Sequence, residues 1–500
     1  MTSPLSLERS TLVIDGRPFQ FLDLTRLLPL DRLQRLPFSL RILLENVALR
    51  SPQALAGFLR MLQGEEAAGE VAFYPDRLMF HDTTCLPALA DFAAMRDLTA
   101  ELGGDPQRIN PHIPAVLTID HSVIVESYAS ADALEQNLQF DFRRNAERYR
   151  FIRWAEQSLD NFRVIPPGTG IIHLMNLEAI AEIVTVDAQE EVPLLHADCM
   201  VATDSHTPMI NALGILGWGV GGLEGQATLV GEPVTLRFPD VIGISLSGTL
   251  AADVSDSDLA LHITRLLREK GVVGKFVEFT GPSLHLLPLE SRATIANMAP
   301  EYGATVVFFP WDDRSADYVQ MTGRSAEKQA IIHAYMREQH LWRSPETPTP
   351  EFTQLIALDL GSIEPCMAGP VNPHQQIPLG LAAESFRDSL KAEARNRRWQ
   401  HAAYPQTIEQ GAIAIAAITS CTTTANPWLV IQAALFARNA ARHGLKPKPW
   451  VKTSFSPGSR AVTDYLSACG LLSELEKIGF DVTGYGCMTC KIGRASCRER

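Results

Sequence analysis

At 500 residues the chain is too long for a single hydrophobic core and is expected to divide into about three domains. A net charge of -13 and a pI near 5.5 disfavour a general nucleic-acid or membrane-surface role. Hydrophobic content of 46%, mean hydropathy near zero and no apolar run of membrane-spanning length fit a soluble globular enzyme.

The opening Met1-Thr-Ser-Pro-Leu-Ser-Leu-Glu-Arg has no apolar core of a secretion signal. Eight cysteines without a pairing pattern fit a reducing compartment, so the expected location is the cytoplasm. Leu30 to Leu49 reads as an amphipathic helix interrupted near Pro37, and Leu86 to Leu102 as another. A short strand, Ala115 to Ile119, delivers Asp120-His121. The Arg- and Glu-rich stretch Ala131 to Asn161 reads as helix with a solvated face. Pro166-Pro167-Gly168-Thr169-Gly170 forces a loop ahead of His173. Thr203-Asp204-Ser205-His206-Thr207 and Gly217-Trp218-Gly219-Val220-Gly221-Gly222 follow. The glycine run lacks the spacing of a phosphate-binding fingerprint and is read as close backbone packing.

A second α/β unit begins near Asp240, with strand Val241 to Ser247, helix Ser257 to Lys270 and strand Phe276 to Phe279. A helical turn bearing Asn297 and Glu301 and a strand Thr305 to Phe309 come next. Trp342 to Phe352, with three prolines, reads as a linker, and a third unit starts near Leu355. The domains are accordingly expected at 1–239, 240–350 and 351–490.

The third unit carries a βαβαβ pattern. Ala412 to Thr419 is a short apolar strand, and Asn426-Pro427 opens a helix that stops at Gly444. Trp450 to Phe455 is a second strand, a second helix ends near Gly479, and Phe480 to Thr483 is a third strand. Right-handed crossovers make these strands parallel, so Cys421, Cys487 and Cys490 emerge on one sheet edge. Singly, each cysteine reads as well as an ordinary buried thiol, and C-x-x-C alone also suits zinc or redox chemistry. Together the three point to a metal centre with an open position, since a structural zinc site wants four ligands. A second constellation is ionisable: Asp120-His121, His173, Asp204, His206 and Glu301 all lie in loops or at element ends. A carboxylate beside a histidine fixes its tautomer and raises its basicity, as proton transfer requires. Spacing alone does not bring them together.

These motifs, in this order, resemble the aconitase family of iron–sulfur hydro-lyases, especially the branch of bacterial aconitate hydratase A and the iron-regulatory proteins. The likeness runs from about Leu22 to Cys490 and includes Ile295-Ala296-Asn297-Met298-Ala299-Pro300-Glu301, Ser420-Cys421-Thr422 and Gly486-Cys487-Met488-Thr489-Cys490. The resemblance implies three α/β domains around a [4Fe-4S] cluster held by Cys421, Cys487 and Cys490, with the fourth, swivel domain of the family missing. It implies a Lewis-acid iron, a tricarboxylate substrate such as citrate, and isomerisation to isocitrate through cis-aconitate in the tricarboxylic acid cycle, by a monomer. It pairs Asp120 with His121, Asp204 with His173 and Glu301 with His206 as catalytic groups. Ser205, Asn297 and His81 are implied to lie at the substrate or cluster. The family has Gln at the position of His81, Asn at that of Thr423 and Gln at that of Leu174. His81 and Ala368-Gly-Pro-Val-Asn-Pro-His374 lean toward 2-methylcitrate dehydratases, the alternative enzyme reading. RNA binding by a cluster-free form, which the acidic charge disfavours, and a structural zinc protein are alternatives of other classes. The closing decapeptide, Lys491 to Arg500, matches the translation of sequencing-adapter read-through and is expected to be an artefact. The family's serine base and substrate-binding arginines are expected beyond it, so the 500-residue chain as written is not expected to turn over.

Overall fold

The computed structural model describes residues 7–65, 69–173, 177–391, 397–402, 404–419 and 426–488. Leu174, Ser420, Cys421, Thr422, Thr423, Thr489, Cys490 and the closing decapeptide lie outside the described residues. Five strands form a parallel sheet: β1 (Arg77–His81), β2 (Ala115–Thr118), β3 (Phe162–Ile165), β4 (Cys199–Ala202) and β5 (Leu216–Gly219). Their order is β5-β4-β1-β2-β3. Leu78, Met79, Phe80, Leu117 and Val201 are buried, as expected for parallel strands covered on both faces. The chain steps outward from β1 to β3 and then returns to lay β4 on the other side of β1. This reversal creates a switch point between β1 and β4, the place where open α/β sheets leave a crevice beyond their carboxyl ends. Asp82, Asp120-His121, His173 and Asp204 all follow the ends of these four strands.

The second unit has β6 (Val241–Ser247), β7 (Phe276–Thr280), β8 (Val306–Phe308) and β9 (Gln354–Asp359), all parallel in the order β8-β7-β6-β9. Thus the strand at Leu355, read from sequence as opening the third unit, completes the sheet of the second. The third unit pairs β10 (Ile415–Thr419) with β11 (Lys452–Ser456) in parallel. The Asn426 side chain accepts from Trp428 N (3.0 Å) and so caps the helix Pro427–Arg442, as its sequence indicates. The second crossover is two helices, Arg460–Ala468 and Leu472–Glu476, separated around Gly470. The strand expected at Phe480 to Thr483 shrinks to a parallel bridge between Phe455 and Val482.

Two helical readings change in three dimensions. Leu30 to Leu49 breaks at Pro37 as expected, but its longer part is not amphipathic. It is a short helix, Leu30–Arg35, followed by Phe38–Arg50, in which every residue from Phe38 to Ala48 is buried. That helix passes between the first and second units, so its polar residues need internal partners. Arg41 donates to the carbonyls of Leu36 and Gln34 (both 3.0 Å) and of His340 (2.5 Å). Glu45 accepts from the Tyr335 hydroxyl (2.5 Å), Gln339 Nε2 (2.7 Å) and Ala197 N (2.9 Å). The Ala131 to Asn161 stretch forms helices Ala133–Arg144 and Ala146–Ser158, but its face is not simply solvated. Asn137, Asp141 and Asn145 are buried. Asn137 Oδ1 accepts from Glu126 N and Ser127 N, and its amide donates to Ser127 O and Thr483 O. This one side chain therefore ties the third unit to the loop that follows His121.

The N-terminus of Phe38–Arg50 shows how the units are joined. Pro37 at the cap offers no side-chain acceptor. Instead Glu278 of β7, fully buried, accepts from Phe38 N and Ser39 N (both 2.9 Å) and from Ser39 Oγ (2.8 Å). A carboxylate from another sheet thus caps the helix and meets its positive end. Glu278→Ala strands two main-chain donors in the interior and is expected to destabilise the protein by on the order of 3 kcal/mol. Glu278→Gln, which keeps one acceptor, is expected to lose less. The shift of the urea midpoint in the two variants measures this order.

Candidate active site

The site starts from the ends of four strands. After β2 the main chain leaves the ladder, and Asp120 and His121 take opposed roles. Asp120, fully buried, accepts Ile172 N on Oδ2 (2.7 Å) and holds His121 Nδ1 on Oδ1 (2.6 Å). The other ring nitrogen, His121 Nε2, lies 3.3 Å from Asp204 Oδ2. Asp204 follows β4. Its Oδ1 lies 3.2 Å from His173 Nδ1 and accepts the main-chain N–H of His206 at 2.8 Å. His206 Nε2 faces Glu301 Oε1 across the unit boundary at 3.6 Å. Each of the three histidine–carboxylate pairs that the resemblance implies lies within 3.6 Å. The structure adds one link that the sequence did not show, the contact from His121 to Asp204, which makes the pairs one chain of contacts from Asp120 to Glu301.

Local packing lets these loops approach. A Cβ on Gly219 would stand 2.5 Å from Asp204 O, so the end of β5 passes the Asp204 loop only as glycine. Gly217 and Gly219 thus act as close packing, as read, whereas Gly222 faces open space. On the opposite side a Cβ on Gly486 would meet Asp120 O at 2.6 Å. The next residue, Cys487, is buried and donates its main-chain N–H to the same oxygen (3.1 Å). The cysteine loop is thereby seated directly on the Asp120-His121 loop. Of the three cysteines expected to converge, Cys487 is described; Cys421 and Cys490 lie outside the described residues.

The electrostatics separate the histidines. Burial alone would favour a neutral His121, but Asp120 and then Asp204 outweigh it and raise its pKa to about 10. His81, stacked on His121 with ring centroids 4.2 Å apart, is pushed down to about 4 by burial and then by the charge of His121. The stacked pair therefore carries one proton across the neutral range. His173 is lowered by burial against the pull of Asp204, in a wall that includes Met79, Ile172, Ile180 and Met200. Asp204 is held well below the usual carboxylate range: burial opposes its charge, and the His173 and His121 rings overcome it. The site thus offers a charged, proton-bearing His121 beside an ionised Asp204.

The remaining candidates fall as follows. His81 is buried, its Nδ1 2.7 Å from Thr83 Oγ1. Ser205 is exposed beside His206, with Oγ 3.3 Å from Nδ1. Asn297 is fully buried at the end of the helix Leu289–Asn297, with Nδ2 3.5 Å from Met209 Sδ. His81, Asp82 and His121, and likewise His173, Asp204 and His206, are close enough to serve as metal donors. The ion pairing of His121 with two carboxylates suits acid–base work better than ligation, which needs a neutral ring. Sequence reasoning missed Asp82 and Arg148. Asp82 follows His81 directly, and the signal available was an acid at a strand end. No helix among the described residues is long and apolar enough to cross a membrane.

Comparison with known proteins bears on this arrangement. The model of the aconitase family (aconitate hydratase) matches residues 58–498. Aconitate hydratase A of Deinococcus radiodurans is 45% identical, over 96% of this chain and 55% of that protein. The proteins of that name from Legionella pneumophila and Pseudomonas aeruginosa are each 43% identical, over 96% of this chain and 55% and 56% of theirs. The chain spans about half the length of these relatives.

The charge separation is testable by imidazole proton NMR. His121 is expected to titrate near pH 10 and His81 near pH 4. Asp120→Asn is expected to bring the His121 midpoint down by about 2 pH units. Because the folded value of His121 is raised, its stabilisation is full below the ordinary value of 6.5 and is lost as pH climbs through about 10. In Asp120→Asn that alkaline loss of stability should shrink.

Proposed function

Because the chain belongs to the aconitase family, we propose that it carries the histidine–carboxylate site of an iron–sulfur hydro-lyase acting on a tricarboxylate. The observation that carries this is the grip of Asp120 and Asp204 on the two nitrogens of His121, at 2.6 and 3.3 Å. His121 is charged at neutral pH and follows the carboxyl end of β2, beside the switch point. The tight Asp120 contact fixes the ring, while the longer Asp204 contact is the one a substrate hydroxyl can displace. His121 Nε2 would then give its proton to the departing hydroxyl and recover it on re-addition. Ionised Asp204 stabilises the imidazolium meanwhile, and the His173 ring, its Nδ1 3.2 Å from Oδ1, packs against that carboxylate. His206 and Glu301, half-buried, would serve the more open side of the site.

Cys487 fits a cluster ligand: it is a buried thiol whose main chain is bonded to the loop of His121. Cys421, Cys487 and Cys490 would hold a [4Fe-4S] cluster. When bound, it supplies an iron with an open position that acts as a Lewis acid on the substrate's hydroxyl and carboxylate. The relatives named aconitate hydratase A favour aconitate over 2-methylcitrate, the alternative suggested by His81.

Anaerobic reconstitution with ferrous iron and sulfide tests the reading. The expected product shows broad visible absorbance and binds citrate, measured by calorimetry, more tightly than 2-methylcitrate. Cys487→Ala should abolish the absorbance. His121→Asn should retain it and weaken citrate binding by about tenfold or more, because Nε2 no longer meets the substrate hydroxyl. A folded protein that takes up zinc in preference to iron, or that binds no tricarboxylate when reconstituted, would overturn the proposal.

A further inference from the structure

Asp82 has no role in the acid–base scheme above, yet it is fully buried directly behind the reactive histidine. It follows β1, and its own N–H extends the β1–β2 ladder to Thr118 O at 3.1 Å. An aspartate at this point, three residues before the helix Cys85–Glu101, would ordinarily be read as serving that helix. It does not cap it. The N-cap position is Thr84, which makes no side-chain cap bond. The Asp82 carboxylate turns the other way. Its Oδ1 accepts the main-chain N–H of His121 at 2.9 Å, and its buried Oδ2 faces Arg148 Nη1 at 3.6 Å.

That N–H is a particular one. β2 ends at Thr118, so by His121 the main chain has left the sheet and needs another acceptor. A carboxylate acceptor is roughly twice as strong as a neutral one. Arg148 comes from the helix Ala146–Ser158, whose Tyr149 hydroxyl also meets Ser122 Oγ at 3.0 Å and donates to Asp141. Residues 121 and 122 are therefore braced from behind by one helix, while Asp120 and Asp204 hold the ring in front. A shift of the His121 main chain by about 1 Å would break both ring contacts at once.

We propose that Asp82 is a positioning residue for His121, holding its main chain by a charge-assisted hydrogen bond, with Arg148 as the counter-ion of that carboxylate. This rests on the acid–base reading of His121 for its functional consequence, but the positioning itself is measurable without turnover. Asp82→Ala, Asp82→Asn and Arg148→Met, each reconstituted with iron and sulfide, are compared with the unsubstituted protein by amide hydrogen exchange in deuterated, 15N-labelled samples. In Asp82→Ala the His121 amide should exchange at least about tenfold faster, while sheet amides such as Leu117 keep their rates. Asp82→Asn, which keeps an acceptor oxygen, should recover most of that protection, and Arg148→Met should lie between. For citrate binding measured by calorimetry, Asp82→Ala should raise Kd by about tenfold, because the ring that meets the substrate hydroxyl is displaced, and Asp82→Asn should recover most of the loss.

Equal exchange at His121 in Asp82→Ala and the unsubstituted protein would overturn the proposal. So would a uniform acceleration of all sheet amides, which would mark Asp82 as merely structural. If Asp82→Ala does not fold, faster His121 exchange in Arg148→Met against unchanged sheet amides supports the proposal, and unchanged His121 exchange overturns it. If the reconstituted unsubstituted protein binds no tricarboxylate, the functional reading fails, while the exchange comparison still decides the role of Asp82.

Discussion

Asp204 is the carboxylate on which the site depends. It is buried, it is ionised, and it touches His121, His173 and the main chain of His206. An isolated carboxylate in that position would protonate or draw in water. The His206 main-chain N–H and the His121 and His173 rings, converging on two oxygens, hold it as an anion instead. That anion in turn helps to keep His121 charged in surroundings that would otherwise strip its proton. Remove the convergence and the three pairs become separate hydrogen-bonded histidines with ordinary behaviour.

The convergence is a product of sheet topology. β1 to β3 run outward, β4 returns beside β1, and their carboxyl ends open into one crevice. Within it, two glycines allow main-chain approaches that any side chain would block, at Gly219 against Asp204 and at Gly486 against Asp120. The second of these brings the third unit, and with it Cys487, onto the same loop. A hydrogen-bonded histidine loop and the cysteine loop are thus built as one contact surface, from residues more than three hundred and sixty positions apart in the chain.

Long-range polar contacts also fix the units relative to one another. Glu278 of the second sheet caps the helix Phe38–Arg50 of the first unit, and Asn137 bridges the loop after His121 to Thr483. Glu301 reaches His206 across the same boundary. Each of these groups is polar in sequence and would be placed at the surface by composition alone. Each finds its partner on a different unit.

The sequence by itself determined the periodic and local features. Short apolar runs bounded by Gly and Pro marked the strands Val241 to Ser247 and Phe276 to Phe279, Asn426-Pro427 marked a helix start, and the ordered motifs pointed to the family, whereas the pairs Asp204–His173 and Glu301–His206 came only with that resemblance. These were legible because strand alternation, caps and motif spacing are encoded within a few neighbouring residues. Only the tertiary structure decided that Phe38 to Ala48 is buried all round, that the strand at Leu355 joins the second sheet, and that Phe480–Thr483 is a bridge. It also decided that Asp204 serves His121 as well as His173, and that Asp82 and Arg148 stand behind the reactive ring. The reason is that burial and hydrogen-bond satisfaction are settled between distant segments. A buried Glu45, Asp82 or Asp141 looks in sequence like any exposed acid until the donor that keeps it inside has been located.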